Sequence, residues 1–139
     1  MLRILTLSIA MLAASPFANA DSHDVYGTFL TEEGTSKVEI SDCGDGTPCG
    51  KVIWIDPESL EDGLTPETVK TRSTGEPVLG LTMLSDFSRS SGDWRGGTIY
   101  SPKADKSYSS RLKRLDQSTL EVKGCIGFIC QTQLWSLAE

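Results

Sequence analysis

The sequence predicts an all-β domain: a small antiparallel up-and-down β-barrel of about eight strands with one long loop. Two observations predict this fold class. Short segments rich in Val, Ile, Thr, Tyr and Trp recur along the chain between clusters of Gly, Pro, Asp and Ser. The connections SDCGDGTPCG, SPKADK and LDQS are of hairpin length, which favours antiparallel pairing of consecutive strands. Closure is expected because it removes the exposed edges of an open meander.

The strands follow from these segments in order. Val38 and Ile40 alternate with polar residues, as do Leu120 and Val122, so these four side chains are expected to face the core. The predicted strands are residues 25–30, 36–41, 50–55, 79–87, 96–101, 107–115, 118–124 and 128–137.

One segment interrupts this rhythm. Residues 56–80 are polar and contain Pro57, Pro66 and Pro77, which predicts a loop with one helical turn at most, over residues 67–70. Loops of this length in compact domains are commonly functional. Two interpretations stay open: a lid over the barrel mouth, or a decorated connection.

The first twenty residues have the pattern of a cleaved secretory signal. Arg3 precedes an apolar run from Ile4 to Ala14, and the segment ends in Ala-Asn-Ala. The mature chain is therefore expected to begin at Asp21, to form a single domain over residues 21–139, and to reach the periplasm or the extracellular space. No other window is apolar for long enough to predict a transmembrane segment.

The charge of the chain excludes one class of partner. Without Arg3, 12 basic residues stand against 19 acidic ones, a net charge near −7. Nucleic-acid binding requires clustered Lys and Arg, so it is not expected. The acids concentrate in residues 21–67, which predicts one acidic side of the domain.

Four cysteines form two closely spaced pairs, Cys43 with Cys49 and Cys125 with Cys130. Their spacing is wider than a redox Cys-x-x-Cys motif, and exported chains favour disulfides over thiolate zinc sites. Each pair brackets a hairpin turn, so we expect a local bridge in each hairpin. The apolar run around the second pair, GCIGFICQTQLW, is typical of a core segment.

The sequence does not predict an enzyme, a metal site or a cofactor. His23 is the only histidine and lies near the expected mature terminus, where chains are usually disordered. The acids of the long loop form no calcium-binding pattern and are expected to be solvated. Gly96 and Gly97 precede a strand, which favours a bulge or a close strand approach over phosphate binding.

Several segments together resemble a known family. They are GTFLTEEGTSKVEIS, CGKVIW, PVLGLTML, GGTIYSPKADKSYSSRL and KGCIGFICQTQLW, and they are similar to small exported bacterial proteins of the domain of unknown function 2147. The resemblance spans residues 27–137 and implies export and one β-rich domain, without an established activity.

Two positions depart from the family pattern. Members typically have Gly-x-Trp where this chain has Gly27-Thr28-Phe29, and often Trp-x-Arg where it has Trp135-Ser136-Leu137. The family pattern is similar to that of lipocalin-type barrels, in which the Arg packs over the Trp at the closed end. By that analogy, Phe29 and Leu137 are expected to point inward side by side and to replace a cation–aromatic contact with an apolar one.

The function predicted from the sequence is a binding module that holds a small apolar or amphipathic ligand in the barrel mouth. The alternative is a structural or interaction protein of the cell envelope with a filled barrel; sequence alone cannot choose, and it leaves any protein partner and the oligomeric state open. The candidate ligand-binding residues, with either arginine as an anchor for an anionic group, are Trp54, Arg72, Trp94, Tyr100, Tyr108 and Arg111.

Overall fold

The computed structural model describes residues 20–138, so residues 1–19 of the predicted signal lie outside the described part. Strands of four to nine residues and one two-residue strand make up the domain. They are β1 Gly27–Leu30, β2 Ser36–Asp42, β3 Pro48–Ile55, β4 Thr82–Ser85, β5 Ser88–Arg89, β6 Trp94–Ser101, β7 Lys106–Arg114, β8 Thr119–Ile126 and β9 Ile129–Leu137.

These strands form a closed antiparallel barrel. Neighbours follow the order β4-β3-β2-β1-β9-β8-β7-β6-β5, and β4 also pairs with β6. Because β4 and β5 both pair with β6, they occupy one position in the wall, which therefore has eight strands. The predicted fold class is confirmed, and the predicted strand 79–87 contains β4 but ends before β5, which begins at Ser88.

The break between β4 and β5 has a local cause. Asp86 has a φ of 66°, and the next residue, Phe87, is buried in the core. A Cβ added at Gly97 of β6 would lie 2.2 Å from the Phe87 ring. Gly96, with a φ of 67°, lies in the bulge between Trp94 and Gly97. The bulge and the close approach expected of this glycine pair are both confirmed.

The strand directions give the barrel two different ends. The closed end carries the turns 43–47, 90–93 and 115–118 and the segment 21–26. The mouth carries the turns 31–35, 102–105 and 127–128 and the long loop 56–81. The single turn expected at residues 67–70 forms slightly earlier, where the Val69 amide donates to the Thr65 carbonyl oxygen at 3.0 Å, and a short 3-10 turn at Pro57–Ser59 stands at the start of the loop.

The segment before β1 covers the closed end. Val25 is completely buried, and the Ser22 carbonyl oxygen accepts a bond from the Arg114 amide at 2.9 Å. Trp94 Nε1 donates to the His23 carbonyl oxygen at 2.9 Å, and His23 Nε2 lies 2.7 Å from the Ser90 carbonyl oxygen. The expectation of a disordered start around His23 is therefore wrong, because Val25 and these bonds dock the segment onto the barrel.

The main core fills the closed half of the barrel. Val38, Ile40, Leu120 and Val122 are all at most 2 % exposed, as their alternation predicts. They pack with further buried side chains, namely Val25, Phe29, Leu84, Phe87, Trp94, Leu112 and Trp135.

The first and last strands meet as expected, but the contact over Phe29 differs. Phe29 pairs with Leu137 and is fully buried, whereas Leu137, at the closed end of β9, is 38 % exposed. The Arg114 guanidinium lies 5.2 Å from the Phe29 ring centre. The expected replacement of a cation–aromatic contact by an apolar one is wrong, because an arginine from β7 supplies the cation.

Both disulfides have the expected local pairing. Cys43 is bonded to Cys49 and Cys125 to Cys130, with Cα–Cα distances of 5.1 and 4.0 Å, and the described residues contain no free cysteine. The second bridge does not lie in a core segment, since the turn residue Phe128 is fully exposed. These bridges are staples at turns.

Candidate binding site at the barrel mouth

The inner face of β9 changes from buried to exposed along its length. Trp135 is 1 % exposed, Gln133 is partly exposed and Gln131 is exposed. These three residues pair with Leu120, Val122 and Gly124 of β8, so they share the inner face of the barrel with them. The interior is therefore filled at the closed end and opens towards the mouth.

Inner-face residues of β6, β7 and β8 complete this recess. Ile99 pairs with Tyr108, and a Cβ added at Gly124 would lie 3.6 Å from Ile99 and 3.7 Å from Tyr108. Both distances are ordinary van der Waals contacts, so a Cβ at Gly124 would overlap no neighbour. We name the inner-face set Ile99, Tyr108, Gly124, Gln131 and Gln133 at the mouth the mouth recess.

The polar groups of the mouth recess are amides and a phenol. Gln133 Oε1 accepts a bond from Trp135 Nε1 at 2.9 Å, so the buried indole below the mouth recess orients the Gln133 amide. Such a lining can orient one polar end of a ligand, while Ile99 and the Tyr108 ring offer apolar surface.

The long loop packs onto the mouth end of β3. Val52 and Ile55 are buried there together with Val78 of the loop, and a second apolar cluster forms around them. Its partly buried members are Leu60, Val69, Leu79 and Met83. Loop residues thus form a hydrophobic contact with the barrel, which a freely moving connection would not make.

Polar contacts fasten the same loop to the turn between β6 and β7. Arg72 Nη2 donates to the Lys103 carbonyl oxygen at 2.6 Å, and Ser73 Oγ donates to Asp105 Oδ1 at 2.8 Å. Tyr100 Oη donates to the same carboxylate oxygen at 2.5 Å. We name these contacts of residues 72, 73, 100, 103 and 105 the loop latch.

The loop latch shifts two pKa values in opposite directions. The hydrogen bonds from Tyr100 and then Ser73 lower the pKa of Asp105 below its ordinary value of 3.8, because they stabilise the ionised carboxylate. The pKa of Tyr100 is raised, first by its bond to Asp105 and then by desolvation. At neutral pH the latch therefore pairs an ionised carboxylate with a neutral phenol.

The structure separates the six predicted ligand-binding residues. Tyr108 lines the mouth recess, and Arg72 and Tyr100 belong to the loop latch. Trp54 is 37 % exposed on the outer wall, where it pairs with Lys37 and its ring lies 5.1 Å from the Lys37 ammonium.

Arg111 and Trp94 also lie away from the mouth recess. Arg111 is exposed between the buried Ser110 and Leu112, so it points outward from β7. Trp94 is buried at the closed end. Neither residue can contact a ligand in the recess.

The glutamines of β9 were missed by the sequence reasoning. Gln131 and Gln133 alternate with Thr132 and Leu134 and share the parity of buried Trp135. That parity could have identified them as inward-facing polar residues. The exposed turn between β8 and β9 was missed as well, because its apolar residues are typical of a core.

Three further observations concern residues 20–138. An open surface groove of about 390 Å³ is formed by one loop segment, residues 76–82. Within residues 20–138, no group of His, Cys, Asp and Glu side chains is placed to hold a metal ion. The search for membrane spans, limited to the same residues, finds no helix that is long and apolar enough.

The closed antiparallel barrel of eight wall positions has a lipocalin-like fold. It is similar to protein HP1028 from the human pathogen Helicobacter pylori, described as belonging to the lipocalin family, with a TM-score of 0.65 and 19 % identity over 85 % of each chain. At this identity the similarity shows the fold alone.

The chain belongs to the bacterial family described as "uncharacterized protein conserved in bacteria" (DUF2147), whose model matches residues 27–136. The family resemblance of the sequence is thereby confirmed. A comparison with curated proteins finds no match.

Proposed function

We propose that this protein is an exported binding protein that holds a small apolar or amphipathic molecule in the mouth recess. One observation carries the proposal: the inner face of the barrel is fully packed at Trp135 and accessible at Gln131, on the same strand. Eight-stranded barrels have interiors that side chains fill or that hold one small ligand, and along β9 this barrel is filled at the closed end and accessible towards the mouth.

The recess supports an amphipathic ligand by its chemistry. Ile99 and the Tyr108 ring would contact apolar atoms, and the Gln131 and Gln133 amides would hydrogen-bond a polar end. Arg72 would serve as an anchor for an anionic end where the loop meets the rim. Arg111 lies on the outer wall, so it is not proposed as an anchor for the anionic end.

Two features support export to the periplasm or the extracellular space. Both cysteine pairs form disulfides, which persist in oxidising compartments. The predicted secretory signal at residues 1–20 would direct the chain across the inner membrane.

Filling the recess from within tests the proposal. Gly124→Leu places a side chain in the recess, and the φ of Gly124 is outside the left-handed region, so the backbone tolerates it. We expect this variant to bind dansyl-labelled undecanoic acid at least about tenfold more weakly than the wild type, measured by fluorescence titration. Circular dichroism should show an unchanged barrel.

Thr132→Leu is the matched control, because Thr132 is exposed on the outer face of the neighbouring strand. It adds the same apolar group outside the barrel and should leave probe binding unchanged. Equal binding by the wild type and Gly124→Leu would contradict a ligand site in the recess. Native mass spectrometry of protein purified from its natural envelope would then identify the natural ligand by its mass.

A second candidate function is an interaction protein of the cell envelope, the barrel serving as a scaffold. It is favoured by the filled closed half and by the exposed apolar turn between β8 and β9. A bare mass in native mass spectrometry together with no probe binding would favour this function over the first.

A further inference from the structure

The turn between β8 and β9 projects three large apolar side chains into solvent. Phe128 has a relative exposure of 105 %, Ile129 of 78 % and Ile126 of 65 %. Phe128 follows Gly127, whose φ of 57° forms the reversal at the apex. We name residues 126–129 the hairpin tip.

Neither neighbouring strand is hydrogen-bonded to the hairpin tip. On one side, β7 pairs with β8 only as far as Cys125, opposite Ser109. On the other side, β1 pairs with β9 only at Leu137 and Ser136. Both edges of the tip are therefore unpaired, although β7 itself continues past Ser109 to Lys106, and the tip is a convex apolar turn exposed to solvent.

The Cys125–Cys130 disulfide braces this projection at its base. The bridge joins the residues on either side of the tip, so the four tip residues form a short covalent loop. Ordering the tip for an interaction therefore costs little further conformational entropy.

No charged residue lies near the apex in the chain. Residues 124–138 contain no Asp, Glu, Lys or Arg. The tip can therefore enter an apolar medium to a shallow depth without carrying a charge with it, which would be costly.

Charges around the mouth differ from one side to the other. The β6–β7 hairpin next to the hairpin tip carries the exposed Lys103 in its turn and the exposed Lys106 at the start of β7, and Arg72 is bonded to that turn. The carboxylate of Asp105 in the same turn is engaged by Tyr100 and Ser73. The tip therefore has basic side chains beside it.

Exposed acids lie in two other segments of the mouth: Glu32 and Glu33 in the turn 31–35, and residues 58–62 at the start of the long loop. β3, from which the long loop departs, is four positions from β8 in either direction around the eight-position wall. The exposed Glu58, Glu61 and Asp62 follow β3 directly. A negatively charged surface would thus attract the side of the tip that carries Lys103 and Lys106 and repel the two segments that carry these acids.

We infer that the hairpin tip docks this protein onto an anionic phospholipid surface, with Phe128, Ile126 and Ile129 inserted among the head groups and Lys103 and Lys106 beside the lipid phosphates. A fluid lipid surface closes around a convex apolar projection, whereas a rigid protein partner must offer a matching concavity. Basic residues next to the insertion point add attraction to anionic lipid. This inference does not depend on a ligand in the mouth recess.

Vesicle co-sedimentation tests the inference on residues 21–139, which hold the whole barrel, with both disulfides formed. We expect binding to vesicles of phosphatidylglycerol and phosphatidylcholine that weakens as salt is added, and much weaker binding to phosphatidylcholine alone. Phe128→Ser should lower the partition coefficient at least about tenfold. The double variant Lys103→Glu/Lys106→Glu should abolish the preference for anionic vesicles.

Leu115→Ser is the matched control, because Leu115 is 43 % exposed in a turn at the closed end. It removes an exposed apolar side chain of similar size and should leave vesicle binding unchanged. Equal binding by the wild type and Phe128→Ser, or no vesicle binding at all, would overturn the inference. So would a dimer in sedimentation velocity that Phe128→Ser dissolves, since the tip would then bind a second copy.

The vesicle experiment is independent of the ligand experiment. Gly124→Leu should still bind vesicles, and Phe128→Ser should still bind the dansyl probe in solution. Loss of both activities in one of these variants would indicate a folding defect, which circular dichroism would detect.

Discussion

Two glycines of the barrel interior differ in the space around them. Gly97 touches the Phe87 ring so closely that a Cβ would overlap it at 2.2 Å, whereas a Cβ at Gly124 would meet its neighbours at 3.6 Å or more. Neither residue has a φ in the left-handed region. The difference between them is therefore one of packing and not of backbone conformation.

This difference predicts unequal effects of the same substitution. Gly97→Ala should lower the free energy of unfolding by about 1–3 kcal/mol, because Phe87 must move within a packed core. Gly124→Ala should change it by less than about 0.5 kcal/mol. Urea denaturation of both variants checks the prediction, and an equal loss of stability would contradict the packing described at Phe87.

Asp105 combines an unusual backbone conformation with the loop latch. Its φ is 52°, a region that Asn and Asp enter more readily than other residues. Its carboxylate accepts bonds from Tyr100 and Ser73. The turn thus places one carboxylate where the loop can reach it.

The lowered pKa of Asp105 predicts how the latch responds to acid. A carboxylate with a lowered folded-state pKa contributes its stabilisation above the ordinary value of 3.8, and this contribution is lost as the pH falls through the lowered value. We expect the amide resonances of residues 71–76 in nuclear magnetic resonance spectra to shift below pH 3.8 as the latch loosens.

Asp105→Asn separates the charge from the conformation. Asn tolerates the same φ but carries no charge, so the variant should show a loosened latch already at neutral pH and no further shift of these resonances in acid. An acid transition of the same size in Asp105→Asn would show that another group controls the loop.

At the scale of elements, the sequence predicts most strands but not their ends. Alternation places Val38, Ile40, Leu120 and Val122 correctly because each lies in a strand with one buried face. The strand predicted at 79–87 is broken because Asp86 and Phe87 turn the chain into the core. Nothing in the hydrophobic pattern indicates that turn.

Candidate site residues are harder to predict, because a site depends on which face and which end of a strand a residue occupies. Trp94 begins β6 at the closed end, and only a count of strand directions reveals this. Trp54 follows an irregularity in the β2–β3 register, so simple alternation from Val52 does not give its face. The hairpin tip has the composition of a core segment, but its side chains are exposed because neither β7 nor β1 pairs with it.

For the whole molecule, the closed end joins elements that are far apart in the sequence. Arg114 of β7 lies over Phe29 of β1 and donates to the carbonyl oxygens of Asp24, Tyr26, Asp116 and Gln117. One side chain thus holds together the first strand, the segment before it and the β7–β8 turn.

This arrangement predicts a large difference between two arginines of one strand. Arg114→Met should lower the free energy of unfolding by about 1–3 kcal/mol, because charge-assisted hydrogen bonds to several carbonyl groups are lost. Arg111→Met, on the outer wall, should change it by less than about 0.5 kcal/mol. Thermal and urea unfolding of both variants check this, and equal stability of the two would contradict the role of Arg114.

The pairing of β1 with β9 has a mechanical consequence. The two strands share two register pairs, both near the closed end, whereas β8 and β9 share eight along their whole length. The barrel wall is therefore hydrogen-bonded at this seam only near the closed end, and residues 129–135 of β9 form no pair with β1. The unpaired part of the seam can separate while the packed closed end stays intact. A ligand with a long tail would therefore extend its tail between β9 and β1, through the side of the barrel.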